Sequence, residues 1–316
     1  MNAFKTDSED LIAQLHNLGF DLKYVMDYLK EFNEYCAQFF PDECTLTKEL
    51  AESWIYSSHT PSKQQMDKRI RTMKHLGKYL NSIGREAYIP NYRIVCDPPT
   101  PPVLLDDRQL LLFFDTCDHI GKAKRSGYRE YILPVIFRLI FSCGLRSSEA
   151  CKLKVLDVNL ETGGIEIYHS KGLKDRKIYM SDTMLHLCKD FNDAYSKILI
   201  EREYFFQPSQ HKLRYLNTDI CAMFNLILKK SNLETEFSKK PTPHGLRHLF
   251  AVKSMKKCLN ENHNFDNWIK YLSQYMGHSS PQETMYYLHM VALLLPEYSN
   301  KIRGLTEGIG VVYEED

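Results

Sequence analysis

Leu11, Leu15, Leu18 and Leu22 recur at i, i+4, i+7 and i+11, the spacing of one buried stripe on an amphipathic helix. Met26, Leu29, Phe32 and Phe39 predict a second helix, ended by Pro41, which cannot continue the backbone ladder. Residues 46–56 predict a third, and Pro61-Ser62 opens a fourth over residues 62–80. No strand pattern interrupts the first 95 residues. Residues 96–102 then place four prolines within five positions, which stops any helix and favours an extended, semi-rigid linker. Beyond it, helical periodicity returns over residues 126–142, 181–197, 217–230 and 245–259. Between the first two of these, Gly164-Ile165-Glu166-Ile167-Tyr168 alternates apolar and polar positions. The pattern resumes at Lys177-Ile178-Tyr179-Met180 after a turn rich in glycine and lysine, which predicts a β-hairpin. The fold class is therefore mainly α: a helical domain over residues 1–95, a proline-rich linker over 96–102, and a mostly helical domain with a small sheet over 103–316. A length of 316 residues agrees with two domains.

Composition narrows this picture without supplying chemistry. Hydrophobic residues make up 43% and charged residues 26%, an ordinary globular balance. Lysine and arginine number 41 against 40 acids, so any nucleic-acid footprint has to be local rather than global. The longest apolar runs, such as residues 291–295, are too short to span a bilayer. The first ten residues hold three acids and lead into no apolar segment, which argues against a signal peptide. Nine scattered cysteines without a Cys-x-x-Cys pair read as reduced thiols of a cytoplasmic protein.

The fourth helix is the first local exception to charge neutrality. Met66, Ile70, Met73 and Leu80 share one face, with Leu76 at its edge, while Lys68, Arg71, His75 and Lys78 share another. Residues 63–78 hold six lysines and arginines against one acid, Asp67. Such a face is either a solvated surface or one laid against phosphates, where each cation releases counterions. This segment alone does not choose between them.

Four separated segments of the second domain carry polar groups that a plain helical bundle does not need. In Gly144-Leu145-Arg146-Ser147-Ser148-Glu149 an arginine follows an apolar helix, and the plain reading is a helix cap in which Glu149 pairs with Arg146. The hairpin turn, His169-Ser170-Lys171-Gly172-Leu173-Lys174-Asp175-Arg176, is basic, as exposed turns often are. His244 and His248 in the third segment stand at i and i+4, a spacing that zinc sites use. Position 245 is glycine rather than the glutamate that a zinc protease needs as base, so no metal is expected. In the fourth, His278 follows Gly277 at a turn, and Tyr286 and Tyr287 come eight and nine residues later on a short helix.

Two arginines, a lysine, two histidines and a tyrosine suffice for phosphoryl transfer without metal. Guanidinium forks clamp the nonbridging oxygens on which charge develops. A tyrosine nucleophile divides one hard step into two, and lysine or histidine protonates the leaving oxygen.

In order and spacing, these segments resemble the boxes of the tyrosine recombinase, or phage integrase, family. That family's Gly-Leu-Arg-x-x-Glu box is similar to residues 144–149, its hairpin lysine falls about 25 residues on at Lys171, its His-x-x-Arg box matches His244 and Arg247, and its Gly-His box matches Gly277-His278, with the nucleophile nine residues later at Tyr287. The resemblance covers residues 103 to about 295. Over residues 1–95 it extends only to size, helicity and the place of the basic helix. Three departures stand out. Ile178-Tyr179 occupies a strand in which relatives often have proline, Lys174 competes with Lys171, and Tyr286 adjoins Tyr287. Adjacent helical residues point about 100° apart, so only one of the tyrosines faces a given site.

The resemblance implies a helical (SAM-like) core-DNA-binding domain and a tyrosine recombinase catalytic fold that clasp DNA from opposite sides, with Lys68, Arg71, His75 and Lys78 as DNA contacts. It implies strand breakage and rejoining through a 3′-phosphotyrosine on Tyr287, without metal, ATP or other cofactor. In these expectations Arg146 and Arg247 clamp the phosphate, Lys171 protonates the leaving oxygen, and His244 and His278 bind phosphate or move protons. Glu149 supports Arg146, and His248 is structural. The expected partners are duplex recombination sites, a homotetramer assembled on two of them and an accessory directionality factor, with nucleoid association. The tail over residues 296–316 either packs in cis or, as the resemblance implies, links neighbouring subunits, and no additional arm-site-binding domain is expected before residue 1. Two other readings stay open: a type IB topoisomerase that relaxes DNA with similar chemistry, and a catalytically silent DNA-binding regulator.

Overall fold

The computed structural model describes residues 4–18, 23–57, 61–96, 101–122, 128–168, 175–261, 263–278 and 280–294. The chain divides into two compact units, Met1–Pro99 and Thr100–Asp316, and the division falls inside the proline-rich run. Among the described residues no helix is long and apolar enough to cross a membrane.

Among the described residues four helices build the first unit: α1 (Phe4–Asn17), α2 (Lys23–Phe39), α3 (Lys48–Ile55) and α4 (Lys63–Ser82). Helices α1, α2 and α4 pack on one another and α3 packs on α4. The Phe32 ring lies between those of Phe4 and Trp54, at centroid distances of 5.4 and 5.2 Å. Two predicted stripes shift here. Helix α1 begins at Phe4 and ends at Asn17, so Leu18 lies past its end and is 64% exposed, while Leu22 lies outside the described residues. The buried line of α2 is Val25, Leu29, Phe32 and Cys36, which leaves Met26 and Phe39 exposed. Spacing identifies a helix here, but neighbouring apolar residues compete for the face that the partners then select.

Local capping sets where α4 starts. The Ser62 hydroxyl accepts from Gln65 N and the Gln65 side chain reaches back to Ser62 N, a reciprocal capping box at the predicted helix opening. Leu76, expected at the edge of the apolar face, is fully buried with Ile70 and Met73. Arg69, one of the six basic residues, turns inward instead. It donates to the Trp54 and Ile55 carbonyls at the end of α3, at 3.0 and 3.2 Å, and pairs with Glu31. Residues 85–96 run without regular structure over this core. Tyr88 N donates to Leu46 O at 2.7 Å, and Lys74 Nζ donates to Tyr92 O at 2.8 Å.

The second unit is organised on α6 (Arg129–Cys143), which is apolar nearly all round and packs against α5 (Asp107–Asp118), α8 (Asp182–Tyr195) and α10 (His244–Asn260). Helix α10 in turn packs on α11 (Phe265–Met276) and α12 (Pro281–Leu294); the short α7 (Ser147–Lys152) follows α6, and α9 (Asn217–Lys230) lies against α5 and α7. Strands β1 (Gly164–Ile167) and β2 (Arg176–Tyr179) form the predicted antiparallel hairpin, in register Ile165 with Ile178 and Ile167 with Arg176. Ile165, Ile167 and Ile178 face the core, and β2 lies against α11.

Helices α5 and α11 lie where the sequence pattern alone predicted none. Each has a buried apolar stripe behind a polar cap: Leu110, Phe113 and Cys117 follow an Asp106–Gln109 capping box on α5, and Ile269, Leu272 and Met276 follow Asn264, whose side chain accepts from Asn267 N, on α11. All nine cysteines are free thiols, and burial pushes that of Cys188 up to about 12, well away from reactive thiolate character.

A Cβ at Gly77 would stand 2.5 Å from the Tyr88 carbonyl oxygen, an impossible approach to backbone. Gly77→Ala should therefore destabilise the protein by about 1–3 kcal/mol by displacing residues 85–96 from α4. Urea denaturation checks this, and an unchanged midpoint would show that this segment is not held against the helix.

Candidate active site

Helices α6 and α11 both end at a glycine in the left-handed region, Gly144 at φ 61° and Gly277 at φ 69°. Their last carbonyls are the negative poles of two helix dipoles and have no intrahelical donors. Arginines fill this need. Arg247, on the first turn of α10 and with none of its surface exposed, donates from Nη1 to Gly144 O and from Nη2 to Met276 O, both at 2.8 Å. Arg146, between α6 and α7, donates from Nη2 to Gly277 O at 3.2 Å. Arg176, at the start of β2, donates from Nε to Tyr275 O at 2.8 Å. Three successive carbonyls, residues 275 to 277, thus hold three arginines from three different elements.

Glu149 joins two of them. Its carboxylate takes both Arg176 Nη1 and Nη2 at 2.8 Å, Arg146 Nη1 at 3.1 Å and the Arg146 backbone N–H at 2.9 Å. The last of these closes the first turn of α7, so the cap and the Arg146 pairing expected from sequence are both present. Burial pushes the Glu149 carboxyl up. Hydrogen bonding and charge from Arg176, with the charges of Arg247 and Arg146, more than reverse this and hold it at about 2.

The glycine caps are fixed by space as well as by backbone angle. A Cβ at Gly144 would meet the Phe250 ring at 2.5 Å, and one at Gly277 would meet Arg176 Nη1 at 2.9 Å.

The tyrosine lies on α12, whose buried face includes Thr284, Tyr287, Leu288 and Val291. Tyr287 is 1% exposed, and its hydroxyl oxygen stands 3.0 Å from His248 Nδ1. The His278 ring stacks on it at 5.9 Å and 12°, held by a 2.7 Å contact between Nδ1 and Thr284 Oγ1. His244 is half-buried one turn before His248, ring against ring at 4.3 Å. Tyr286, rotated away on the same helix, is also half-buried. Arg146, Glu149 and Arg247 therefore meet around the end of α11, while His244, His248, His278 and Tyr287 meet between α10 and α12. Lys171, with its competitor Lys174, lies outside the described residues, as does the tail over residues 296–316.

Matching of the sequence to protein families finds the phage integrase family over residues 104–292. The chain belongs to the phage integrase family. A tyrosine recombinase of Agathobacter rectalis is 28% identical over 279 residues, covering 84% of each chain. Among solved structures, the XerH site-specific recombinase bound to a palindromic difH substrate aligns with a TM-score of 0.62 at 18% identity, over 88% of this chain and 78% of that one. The integrase of the Tn1549 transposon, in complex with a circular intermediate DNA, aligns at 0.60 and 19%, over 89% and 94%. The fold of this family member is that of the tyrosine recombinases.

Arg176 is the site residue that sequence reasoning missed. In the sequence it is one cation in a basic turn, and a hint lies only in its position as the first residue of a short strand. Its side chain is 6% exposed, and its guanidinium is paired with the buried Glu149 carboxylate.

The four residues proposed on the basic helix belong to the first unit. Lys78 is exposed and Lys68 half-exposed, while Arg71 pairs with Asp67 at 2.7 Å. Burial, reinforced by the charge of Lys78, lowers the pKa of His75 below its ordinary 6.5. This imidazole is neutral at pH 7, and the cationic character of the face comes from Lys68, Arg71 and Lys78.

Because the folded-state pKa of Glu149 is depressed, its ionisation stabilises the fold above the unfolded value of 4.5, and that contribution is lost as pH falls toward about 2. Glu149→Gln should cost about 3 kcal/mol at pH 7, and its deficit against the unaltered protein should shrink steadily below pH 4.5. Urea denaturation at stepped pH checks this. A deficit that does not vary with pH would mean that the carboxylate charge is not what is lost.

Proposed function

We propose that this protein is a site-specific tyrosine recombinase that cleaves and rejoins DNA through a 3′-phosphotyrosine on Tyr287. The observation that carries the reading is the convergence of boxes more than 100 residues apart: Arg247 on Gly144 O and Arg146 on Gly277 O, sequence separations of 103 and 131. Family membership supports the same reaction.

The Tyr287 oxygen attacks the phosphorus in line, the O–P bond forms, and the bond to the 5′-oxygen breaks. Arg146 and Arg247 stabilise the charge on the nonbridging oxygens. Their guanidiniums are already held by backbone carbonyls, so little reorganisation is needed when charge develops. Glu149 orients Arg146 from its cap position, and Lys171 protonates the departing 5′-oxygen. His244 and His278 hydrogen-bond the phosphate or relay protons. The phosphotyrosine conserves the energy of the broken bond, so a 5′-hydroxyl rejoins the strand without ATP. The substrate is duplex DNA carrying recombination sites, and a homotetramer on two sites, with tails exchanged between subunits, performs the exchange. An accessory factor sets direction. The first unit binds the core of the site through Lys68, Arg71, His75 and Lys78.

The test is to express the chain in cells, capture covalent protein–DNA adducts and sequence their ends. Wild type and Tyr286→Phe should give adducts at a common sequence, and Tyr287→Phe should give none while keeping DNA affinity within a few-fold, because only one hydroxyl is lost. Adducts that survive in Tyr287→Phe but not in Tyr286→Phe would reverse the assignment. Recombination between paired copies of the mapped site separates a recombinase from a relaxing topoisomerase.

For the first unit, Lys68→Ala combined with Lys78→Ala should weaken DNA binding and reduce the slope of log affinity against log salt by about 0.9 per lost phosphate contact. Fluorescence anisotropy across a salt series reads this slope, and an unchanged slope would mark the face as merely solvated.

A further inference from the structure

Positions 244, 247 and 248 stand at i, i+3 and i+4 on α10, so His244, Arg247 and His248 share one side of that helix. The expectation for His248 was a structural role. Its surroundings are those of a reacting group. It is buried, with 8% of its surface exposed, and Nδ1 stands 3.0 Å from the Tyr287 hydroxyl oxygen. The two rings are 5.4 Å apart at 48°, an offset that leaves the imidazole edge toward the hydroxyl. The His244 ring packs edge-on against it at 4.3 Å and 89°, which fixes the imidazole plane. His278 meets the same tyrosine by its ring face, with Nδ1 directed to Thr284 Oγ1.

A nucleophile and a base within hydrogen-bond reach, the base oriented by a third group, are the parts of an activated nucleophile. A phenol with an ordinary pKa near 10 is almost wholly protonated at neutral pH. A neutral imidazole is the side chain best matched to take that proton as attack proceeds. We propose that His248 is a catalytic residue of strand cleavage, accepting the Tyr287 proton at Nδ1. This rests on Tyr287 being the nucleophile.

The step balances without a further reactant. With its own proton on Nε2, the imidazole accepts the hydroxyl hydrogen at Nδ1, and the tyrosine O–H bond breaks. The freed electron pair forms the O–P bond. The P–O5′ bond breaks with its pair on the 5′-oxygen, which takes a proton from Lys171. In rejoining, a 5′-hydroxyl attacks phosphorus and gives its proton back to the Lys171 amine, while the imidazolium returns its proton to the departing tyrosine oxygen. The assignment divides the two histidines of the His-x-x-Arg-His run: His248 serves the nucleophile, and His244 braces it and faces the phosphate.

The experiment uses the full chain on a nicked duplex carrying the site mapped by adduct sequencing. His248→Gln retains an acceptor near Tyr287 but cannot hold the proton, so cleavage should fall on the order of 10²–10⁴-fold with DNA binding within a few-fold. A ring-fluorinated tyrosine at position 287, with a more acidic hydroxyl, should restore about tenfold or more in His248→Gln and less than about threefold in His244→Gln. Sulfur at the 5′-bridging position, which eases the leaving group, should rescue Lys171→Ala and not His248→Gln. The reverse pattern, or His248→Gln cleaving within about threefold of wild type, overturns the proposal. Two arms need no change at His248. In the otherwise unaltered chain the fluorinated tyrosine should raise cleavage by no more than about threefold, since the base already meets the need, and a tenfold rise overturns the assignment. In the DNA-free protein, raising pH through the imidazole range should move the fluorine resonance, and a resonance indifferent to that range overturns the pairing. A covalent adduct persisting in Tyr287→Phe would instead fault the nucleophile assignment, which the DNA-free fluorine measurement does not depend on.

Discussion

The second unit depends on how the C-terminal end of α11 is satisfied. A helix that stops inside a protein leaves carbonyls without donors, and here three successive ones, from Tyr275 to Gly277, are each met by a different arginine. The three guanidiniums would repel one another if nothing else were present. Glu149 offsets that repulsion, taking both ends of Arg176 and one of Arg146 while lying within the field of Arg247. The backbone dipoles at the ends of α6 and α11 aim these guanidiniums.

The same arrangement explains why small residues and buried charges stand where they do. Gly144 and Gly277 turn two helices into left-handed caps so that their carbonyls face one guanidinium. Arg247 tolerates complete burial because both η nitrogens find carbonyls at the negative poles of helices. Arg176 ties β2 to α7 and α11 together, so the strand that leaves the lysine-bearing turn is anchored to the arginine cluster. The phase of α12 buries Tyr287 against His248 and His278 and leaves Tyr286 half-exposed.

The first unit shows how a basic helix divides its charges. Arg69 serves the fold by capping α3, Arg71 is paired with Asp67, and His75 is neutral because it is half-buried beside Lys78. The cations turned outward are fewer than the six in the sequence. That difference separates a count of basic residues from the charge a partner would meet.

Features held by neighbours in the chain are legible in the sequence. The proline-rich division, the hairpin, the Ser62 cap and the long helices are local, since turns, caps and periodicity act over a few residues. The proximity within each candidate segment is legible for the same reason: Arg146 and Glu149 sit three residues apart on one cap, and His244 and Arg247 on one helical face. Helices α5 and α11 carry local signals of the same kind, an apolar stripe behind a polar cap, although the longer patterns around them dominate the reading. Leu18, Met26 and Phe39 are exposed against expectation because spacing alone does not say which neighbouring face the partners cover. The sequence by itself determined most of the elements, their order and the chemical types available at the candidate site. Only the tertiary structure decided that Arg176 pairs with Glu149 and that Tyr287 lies at His248, across 27 and 39 residues of chain. A buried ion pair or a shared hydroxyl depends on which elements pack together, and that is set by the whole core rather than by any local pattern.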